Sequence, residues 1–316
     1  MAQGITERVS KRCYCPAAVS SFFEIHDTNP DGSRINDPLR IGARGGGFTI
    51  GRGTVTTASE IRKIRTDTVV INNRRAPNAR TTLSVIRQMR RILNFGPVLI
   101  THEIDPPIGS GFGTSGSGAL GAAIALSDLY STRFTVAQVS SFAHIAEIES
   151  LTGLGTVASI SSGIAGIGIV TEPGSIQFGR VDRLLCDERD YVLVCACFGP
   201  ISKPKILTDP RAKNLVNEFG GLALKAVLGD PTPATLLTES RVFAERSGLS
   251  NDRLLRLADK AREFGAVGAS QNMIGNAVHF LVQRTKYRNF MKSFSKYVPP
   301  RNTFESQLLG STPKLF

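Results

Sequence analysis

The chain has 316 residues, of which 41% are hydrophobic, and its mean hydropathy is −0.02. It is long enough to bury a large core in one large domain or two lobes. Its apolar runs are too short to cross a membrane, its polar N-terminal segment lacks the apolar core of a signal peptide, and five cysteines do not suggest a disulfide framework. These features indicate a globular protein of the cytoplasm.

The formal net charge of +12 has two interpretations. Arginines cluster between Arg62 and Arg91, as they would on a nucleic-acid surface. A small anionic substrate and a solvated basic face explain the same excess. Aromatic residues make up 7% of the chain and do not interleave with the arginines as stacking platforms would. The sequence therefore favours a small anionic partner, and a non-catalytic nucleic-acid-binding protein is the alternative from another class.

Hydrophobic patterning predicts mostly β-structure in the first third of the chain, with one basic amphipathic helix at residues 79–93. The predicted strands cover residues 11–25, 45–50, 54–57, 68–71 and 98–103. A loop rich in Gly, Asn, Asp and Pro lies between the first two strands, at residues 27–37. The last of these strands leads directly into a glycine-rich loop.

The glycine-rich loop at residues 107–119 reads PIGSGFGTSGSGA and runs straight into an apolar helix at 119–130. Glycines let backbone N–H groups approach a ligand without a Cβ in the way. A helix start adds unpaired N–H donors and a partial positive charge. Together they predict a phosphate cradle rather than a linker or a packing turn. The loop is not a Walker A loop, because no Gly-Lys-Ser/Thr closes it, and it lacks the context of the dinucleotide fingerprint.

Helical and strand patterns continue to alternate beyond this loop. The predicted elements are a helix at 136–150, a Gly/Ile-rich hydrophobic segment at 160–170, a buried strand at 191–198, helices near 211–229, 232–247 and 251–264, and a further segment around 272–285 that begins in helix-rich sequence. This order predicts an α+β protein with two lobes, divided near residue 185.

Several segments carry a family resemblance. The glycine loop resembles the second motif of the GHMP kinases, which include galactokinase and the homoserine, mevalonate and phosphomevalonate kinases. Five segments are more narrowly similar to the archaeal pantoate kinase branch of that superfamily: FFE at 22–24, DPLRIGARG at 37–45, GSGFGTSG at 109–116, AHIAE at 143–147 and TGLG at 152–155.

The resemblance implies a fold and two cofactors. It implies an ATP-binding lobe like domain 2 of ribosomal protein S5 over residues 1–185, and a ferredoxin-like C-terminal lobe over residues 186–316. ATP and Mg²⁺ would be the cofactors. The segment at 268–276 takes the place of the family's third, glycine-rich motif, as a weaker match. The oligomeric state stays open, a homodimer included.

The resemblance also implies roles for individual residues. The ATP phosphates would lie on the loop at Gly109, Ser110, Gly111, Phe112, Gly113, Thr114, Ser115 and Gly116. Ser115 and Glu147 would hold Mg²⁺, with Glu149 as the fallback for the carboxylate. Lys203 would neutralise phosphate charge and complete the catalytic set with Ser115 and Glu147.

The acceptor would contact the head of the chain, at Ser20, Ser21, Arg40 and Arg44. A guanidinium grips a carboxylate or a phosphate with two hydrogen bonds, which is why the two arginines are candidates for its anionic groups. His144 lies three residues before Glu147 on the same predicted helix and is expected to be a structural residue.

Two departures from the pantoate kinases bear on the acceptor. Those enzymes typically carry His-Ile-Thr-Gly where this chain has residues 18–21 (AVSS), and an Asp where this chain has Thr156. Loss of that carboxylate does not abolish phosphoryl transfer, since positioning and charge neutralisation do most of the work. It predicts a changed acceptor. The first expectation is a mevalonate 3-phosphate 5-kinase of archaeal isoprenoid synthesis, whose extra phosphate suits the surplus arginines, and the alternative is a pantoate kinase of coenzyme A synthesis.

Overall fold

Two β-sheets organise the chain, which a computed structural model describes at residues 9–61, 64–200, 209–308 and 312–316. The strands are β1 (Ser10–His26), β2 (Gly42–Glu60), β3 (Thr68–Ile71), β4 (Arg74–Arg75), β5 (Val98–Ile104), β6 (Gly166–Glu172), β7 (Arg180–Arg183), β8 (Tyr191–Cys197), β9 (Gly268–Gln271), β10 (Ala277–Gln283), β11 (Thr303–Ser306) and β12 (Lys314–Leu315). The helices are α1 (Arg80–Leu93), α2 (Thr114–Leu129), α3 (Val136–Ser150), α4 (Thr156–Ser161), α5 (Pro210–Gly229), α6 (Pro233–Arg246), α7 (Asp252–Glu263) and α8 (Tyr287–Phe294).

The first sheet is built around a long antiparallel pair, β1 and β2. Its strand order is β12-β1-β2-β5-β3-β4, and β6 joins the first half of β2 and carries β7. The two strands approach closely at Gly47, where an added Cβ would lie 2.1 Å from the carbonyl oxygen of Val19. The glycines of the predicted strand at 45–50 therefore serve a close backbone approach, and the two strands predicted at 45–50 and 54–57 are one strand.

Helices α1, α2 and α3 cover one face of the first sheet. Their shared core includes Val85, Leu120 and Ala143, packed against strand residues such as Ile100. Helix α2 is buried along most of its length, and small residues let it lie directly on the sheet. An added Cβ at Gly121 would lie 2.3 Å from Oγ1 of Thr56 on β2. This packing fixes the direction of α2, and with it the place where the glycine loop ends.

The other face of the first sheet packs against the second half of the chain. The second sheet has the order β11-β8-β10-β9. Phe22 and Phe48 of the first sheet share a buried cluster with Leu193 of β8 and Phe243 of α6. The described structure is thus mixed α+β with two sheets, as the sequence predicts. The division into lobes at residues 185 and 186 stays a prediction, and β12 returns the end of the chain to β1.

Two segments differ from the sequence-based expectation. The segment from 268 to 283 is not helical but forms β9, a turn at 272–276 and β10. Small and polar residues leave 268–276 without a helical period, while β10 (AVHFLVQ) is a continuous apolar run that is almost wholly buried, as a central strand is. A short helix, α4, also begins at Thr156, ahead of the Gly/Ile-rich segment. Within the described residues, no helix combines the length and apolar character needed to cross a bilayer.

A buried histidine ties α1 to the sheet beneath α2. His102 on β5 contacts Thr56 Oγ1 through Nδ1 at 2.9 Å and Thr82 Oγ1 through Nε2 at 3.0 Å. Burial lowers the pKa of His102 from 6.5 to about 4. Between these two values the unfolded chain binds a proton at this position that the folded chain does not bind. The free energy of unfolding therefore falls as the pH drops from about 6.5 to about 4.

We expect this loss to be measurable by urea unfolding at pH 7 and pH 5. The free energy of unfolding of the wild type should fall by about 2 kcal/mol more between the two values than that of a His102→Gln variant, since one pKa unit corresponds to about 1.4 kcal/mol. Equal pH dependence in the two proteins would contradict the buried neutral state of His102.

Candidate active site

The glycine loop ends where α2 begins. Gly109, Gly111 and Gly113 have φ values of +80°, +78° and +59°, in the left-handed region that favours glycine. Gly113 is the N-cap residue of α2, so no side chain at that position covers the first turn. The N–H groups of Thr114, Ser115 and Gly116 belong to this first turn, which a helix leaves unpaired. The loop therefore presents backbone donors together with the positive end of a helix dipole.

Two carbonyl groups of the loop are held from opposite parts of the chain. The Ser110 carbonyl oxygen accepts a hydrogen bond from Asn272 Nδ2 at 3.1 Å, and the Phe112 carbonyl oxygen accepts one from the Ala18 N–H at 3.2 Å. The C=O and N–H of a trans peptide unit point in opposite directions. The N–H groups of Gly111 and Gly113 consequently point away from these contacts, as an anion cradle requires.

Ser110 and Phe112 contribute to the loop through their backbones. The Ser110 side chain is fully buried, and the Phe112 ring packs on Phe304 with ring centroids 4.8 Å apart. Their side chains therefore anchor the loop to the core. Only the backbone groups of Ser110 and Phe112 remain candidates for nucleotide binding.

A hydroxyl and a carboxylate meet at the mouth of this loop. Ser115 Oγ donates a hydrogen bond to Glu147 Oε1 at 2.8 Å, and Thr152 Oγ1 donates another at 3.3 Å. Glu147 is only 2% exposed. An added Cβ at Gly116 or Gly153 would lie 2.9 or 2.6 Å from Glu147 Oε2, so both glycines make room for the carboxylate. The structure thus brings Ser115 and Glu147 together beside the first turn of α2.

Thr156 completes the wall of the loop. It is the first residue of α4, and its Cγ2 atom would lie 2.5 Å from a Cβ at Gly113 and 3.0 Å from one at Gly116. The position at which the sequence lacks a carboxylate is therefore in contact with the glycine loop.

The sequence of the chain is similar to that of known proteins. Residues 80–163 match the family described as GHMP kinases N terminal domain. The chain is 30% identical over 282 residues to a pantoate kinase of Thermococcus kodakarensis, covering 86% of this chain and 87% of the relative. It is 29% identical over 265 residues to a pantoate kinase of Methanocaldococcus jannaschii, covering 84% of this chain and 90% of the relative. This chain belongs to the GHMP kinases.

Solved structures agree with this assignment. A protein titled "Phosphotransferase related to CoA biosynthesis pathway" superimposes with a TM-score of 0.82 at 26% identity, over 98% of this chain and 99% of the other. The Methanococcus jannaschii mevalonate kinase superimposes with a TM-score of 0.67 at 15% identity, over 98% of this chain and all of the other, and shares the fold. The GHMP kinase described here is therefore an ATP-dependent phosphotransferase that acts on a hydroxyl group.

The predicted acceptor-binding serines of this GHMP kinase lie in different surroundings. Ser21 is fully buried, and its hydroxyl is 2.9 Å from His279 Nε2. β1 turns that side chain into the core, and its expected contact with the acceptor stays a prediction. Ser20 is half-buried, and its carbonyl oxygen accepts a hydrogen bond from the Met273 N–H at 2.8 Å. The backbone of Ser20 thus adjoins the turn at 272–276, while its side chain stays a candidate.

The two predicted arginines already have partners. Arg44 forms an ion pair with Glu24, with Nη2 2.7 Å from Oε2. Burial by itself would raise the pKa of Glu24, but hydrogen bonds from His26 and Arg44 bring it below the usual value. Arg40 lies over the ring of Phe178, 4.2 Å from its centroid, and its side chain is 61% exposed. Both guanidinium groups are held in place without being enclosed.

His144 acts as the structural residue that the sequence predicts. It is buried, and its Nε2 lies 2.9 Å from the Ile41 carbonyl oxygen, which it can only donate to. This bond attaches the segment that carries Arg40 and Arg44 to α3. Glu149, the fallback carboxylate, accepts a hydrogen bond from Ser84 of α1 at 2.5 Å and faces that helix instead of the loop. Lys203 lies outside the described residues.

The turn at 272–276 contacts the glycine loop more closely than the weak motif match at 268–276 indicates. An added Cβ at Gly275 would lie 2.5 Å from the Gly111 nitrogen, and Asn272 bonds to Ser110. The resemblance to a third glycine-rich motif was the available signal. Its contact with the loop spans 162 residues, which no local pattern encodes.

We expect Ser115→Ala to weaken the response to Mg²⁺. The substitution removes one oxygen that would face the proposed cation and one donor to the buried Glu147 carboxylate. The Mg²⁺ concentration for half-maximal turnover should rise about tenfold, the lower end of the effect of removing a group that supports a metal site. The free energy of unfolding should fall by about 1 kcal/mol.

The matched control is Ser115→Thr, which keeps the hydroxyl. Titrations of turnover against Mg²⁺ at saturating ATP compare the three proteins. An unchanged titration for Ser115→Ala would contradict the placement of the metal.

Proposed function

We propose that this GHMP kinase transfers the γ-phosphoryl group of ATP to the primary hydroxyl of pantoate. The observation that carries the proposal is the extent of the similarity. Three archaeal relatives described as pantoate kinases are 26–30% identical and align over 84–91% of this chain. That extent takes in the glycine loop and both sheets. The comparison therefore reverses the order expected from the sequence, which put mevalonate 3-phosphate ahead of pantoate.

The loop supports the nucleotide half of the proposal. In phosphoryl transfer the charge of the transition state spreads over the oxygens of the moving group, so fixed donors do most of the work. The N–H groups of Gly111 and Gly113 and the first turn of α2 would bind these oxygens. Glycine at positions 109, 111 and 113 permits a backbone that other residues adopt only with strain.

Ser115 and Glu147 fit a magnesium ion. Mg²⁺ prefers oxygen ligands and is usually bound by one or two carboxylates together with substrate phosphates. Across the part of the chain that the structure describes, no cluster of three or more His, Cys, Asp or Glu side chains offers a separate metal site. Ser115 and Glu147 would therefore hold Mg²⁺ jointly with ATP. When bound, the ion supplies positive charge that neutralises the phosphates.

The transfer step balances without a covalent enzyme intermediate. The acceptor oxygen forms a bond to the γ-phosphorus, the bond from that phosphorus to the β,γ-bridging oxygen breaks, and ADP leaves. The acceptor hydroxyl loses its proton to the surrounding water, so the products are the phosphate ester, ADP and a proton. Thr156 cannot accept this proton as a carboxylate would. The enzyme therefore lacks the rate enhancement of about 10²–10⁴-fold that general-base catalysis contributes. The transition state tolerates this loss because it is loose.

The anionic end of the acceptor would lie toward the head of the chain. Arg44 on β2 and the Ser20 backbone on β1 belong to neighbouring strands that run past the turn at 272–276. Arg40 and Lys203 are the further candidates. An acceptor carboxylate would share Arg44 with Glu24, whose carboxylate holds the guanidinium in a fixed orientation.

One observation favours a second acceptor, mevalonate 3-phosphate. Thr156 contacts the loop at the place where the pantoate kinases that the chain resembles carry an Asp. A neutral residue there removes a negative charge beside the phosphates, which would favour a more anionic acceptor. Mevalonate 3-phosphate has both a carboxylate and a phosphate.

The test is a comparison of kcat/KM for pantoate and for mevalonate 3-phosphate with the same enzyme. We expect at least a tenfold preference for pantoate. A Gly113→Val variant purified in the same way should be inactive, because φ of +59° excludes a β-branched residue and its Cβ would collide with Thr156. A preference for mevalonate 3-phosphate would overturn the proposed acceptor, and turnover of neither would overturn this class of acceptor.

A further inference from the structure

A buried chain of hydrogen bonds leads from β1 to the glycine loop. Ser21 Oγ is 2.9 Å from His279 Nε2, and His279 Nδ1 is 3.0 Å from Asn272 Oδ1. Asn272 Nδ2 then lies 3.1 Å from the Ser110 carbonyl oxygen. The three side chains are fully buried, with no exposed surface. They come from three strands or turns and end on one peptide unit of the loop.

The direction of every bond in this chain follows from its last member. A carbonyl oxygen only accepts, so the Asn272 amide must turn its NH₂ group to Ser110 and its oxygen to His279. His279 must then donate from Nδ1, which leaves the lone pair of the neutral ring on Nε2. Ser21 must therefore donate its hydroxyl proton. One carbonyl group thus fixes one amide orientation, one histidine tautomer and one hydroxyl direction.

His279 is held in this neutral form by its surroundings. It lies between sheets, with the Phe48 ring edge-on at a centroid distance of 5.4 Å, and burial lowers its pKa to about 3. Glu147 accepts a hydrogen bond from Ser115, and Glu24 forms an ion pair with Arg44. The relay therefore keeps the same protons across the pH range in which enzymes of this kind work.

The peptide unit at the end of the relay is the one that carries the Gly111 N–H. Its carbonyl belongs to Ser110 and its N–H to Gly111, and the two point in opposite directions. Asn272 also packs against the loop, because a Cβ at Gly111 would lie 2.7 Å from the Asn272 Cβ. At a glycine with φ of +78°, a peptide unit has few steric barriers of its own against turning over. Its orientation must come from its partners.

We propose that Ser21, His279 and Asn272 are positioning residues for ATP: their hydrogen-bond relay turns the Gly111 N–H toward the nucleotide phosphates. The proposal rests on the phosphate-binding role of the loop and is independent of which acceptor is phosphorylated. Ser21, which the sequence placed at the acceptor, thereby acts on the other substrate through two intervening side chains.

The test uses Asn272→Asp, which is nearly isosteric and keeps an oxygen for His279 Nδ1. It replaces the donor that faces the Ser110 carbonyl with a second acceptor, so the two oxygens repel and the peptide unit turns. The Kd for ATP, measured by calorimetry, should rise at least tenfold, and the affinity for adenosine, which has no phosphate, should stay within twofold. Ser21→Ala, which removes only the first donor, should raise the Kd for ATP about threefold.

The control is Ser270→Ala, on the strand that precedes the turn. Ser270 lies opposite His279 on the neighbouring strand, but its buried hydroxyl has no hydrogen-bond partner among the residues that the structure describes and makes no bond of the relay. Its affinities for ATP and adenosine should match the wild type.

Two results would overturn the relay. An unchanged Kd for ATP in a folded Asn272→Asp or Ser21→Ala protein would do so, as would equal losses for ATP and adenosine that follow the loss in melting temperature. If the wild type binds ATP but phosphorylates neither acceptor, the proposed acceptor is wrong. The affinities of the variants for ATP and adenosine still test the relay in that case.

Discussion

The site depends on how the backbone of one short loop is held. Glycine frees the loop at residues 109, 111 and 113, and this freedom would be a liability if nothing selected one conformation. Two hydrogen bonds select it, from Ala18 to the Phe112 carbonyl and from Asn272 to the Ser110 carbonyl. One comes from the first strand and the other from the turn before β10. This loop conformation thus exists only when the two halves of the chain are packed together.

The same packing explains why buried polar groups surround the loop. Glu147, Asn272 and His279 are each at most 2% exposed, and each has a hydrogen-bond partner. A buried polar group destabilises the folded state when it has no partner, and its hydrogen bonds are directional when it has one. Such groups therefore favour one arrangement of loop, helix and turn. A phosphate-binding site gains from such rigidity, since its donors need no reorganisation when charge develops.

Local patterns were enough to predict the glycine loop and the helix that follows it, and the family resemblance placed Ser115 and Glu147 at one magnesium site. Each depends on residues close in sequence or on a motif with a strong physical meaning. Local patterns did not predict the buried contact of Ser21 with His279 or the strand character of β10. Ser21 meets His279 across 258 residues, and Asn272 meets Ser110 across 162. Contacts of this range arise from tertiary packing, which a single sequence does not display. The contact of Arg44 with the acceptor stays a prediction, and its pairing with Glu24 depends on strand register, which the sequence does not display.

A cavity outside the glycine loop is an alternative candidate for the nucleotide site. A cavity of about 980 Å³ lies along the second half of α2, with Ile124, Phe134 and Val181 in its lining, and residues 107–119 take no part in it. Its volume makes this cavity a rival nucleotide site, whereas the orientation of backbone donors favours the glycine loop.

Hydrogen–deuterium exchange with and without Mg²⁺ and a non-hydrolysable ATP analogue distinguishes the glycine loop from the cavity as the nucleotide site. Nucleotide binding at the glycine loop predicts slower exchange at residues 109–117 and 152–157, with α7 unchanged. Slower exchange around the 980 Å³ cavity, with the loop unaffected, would contradict it.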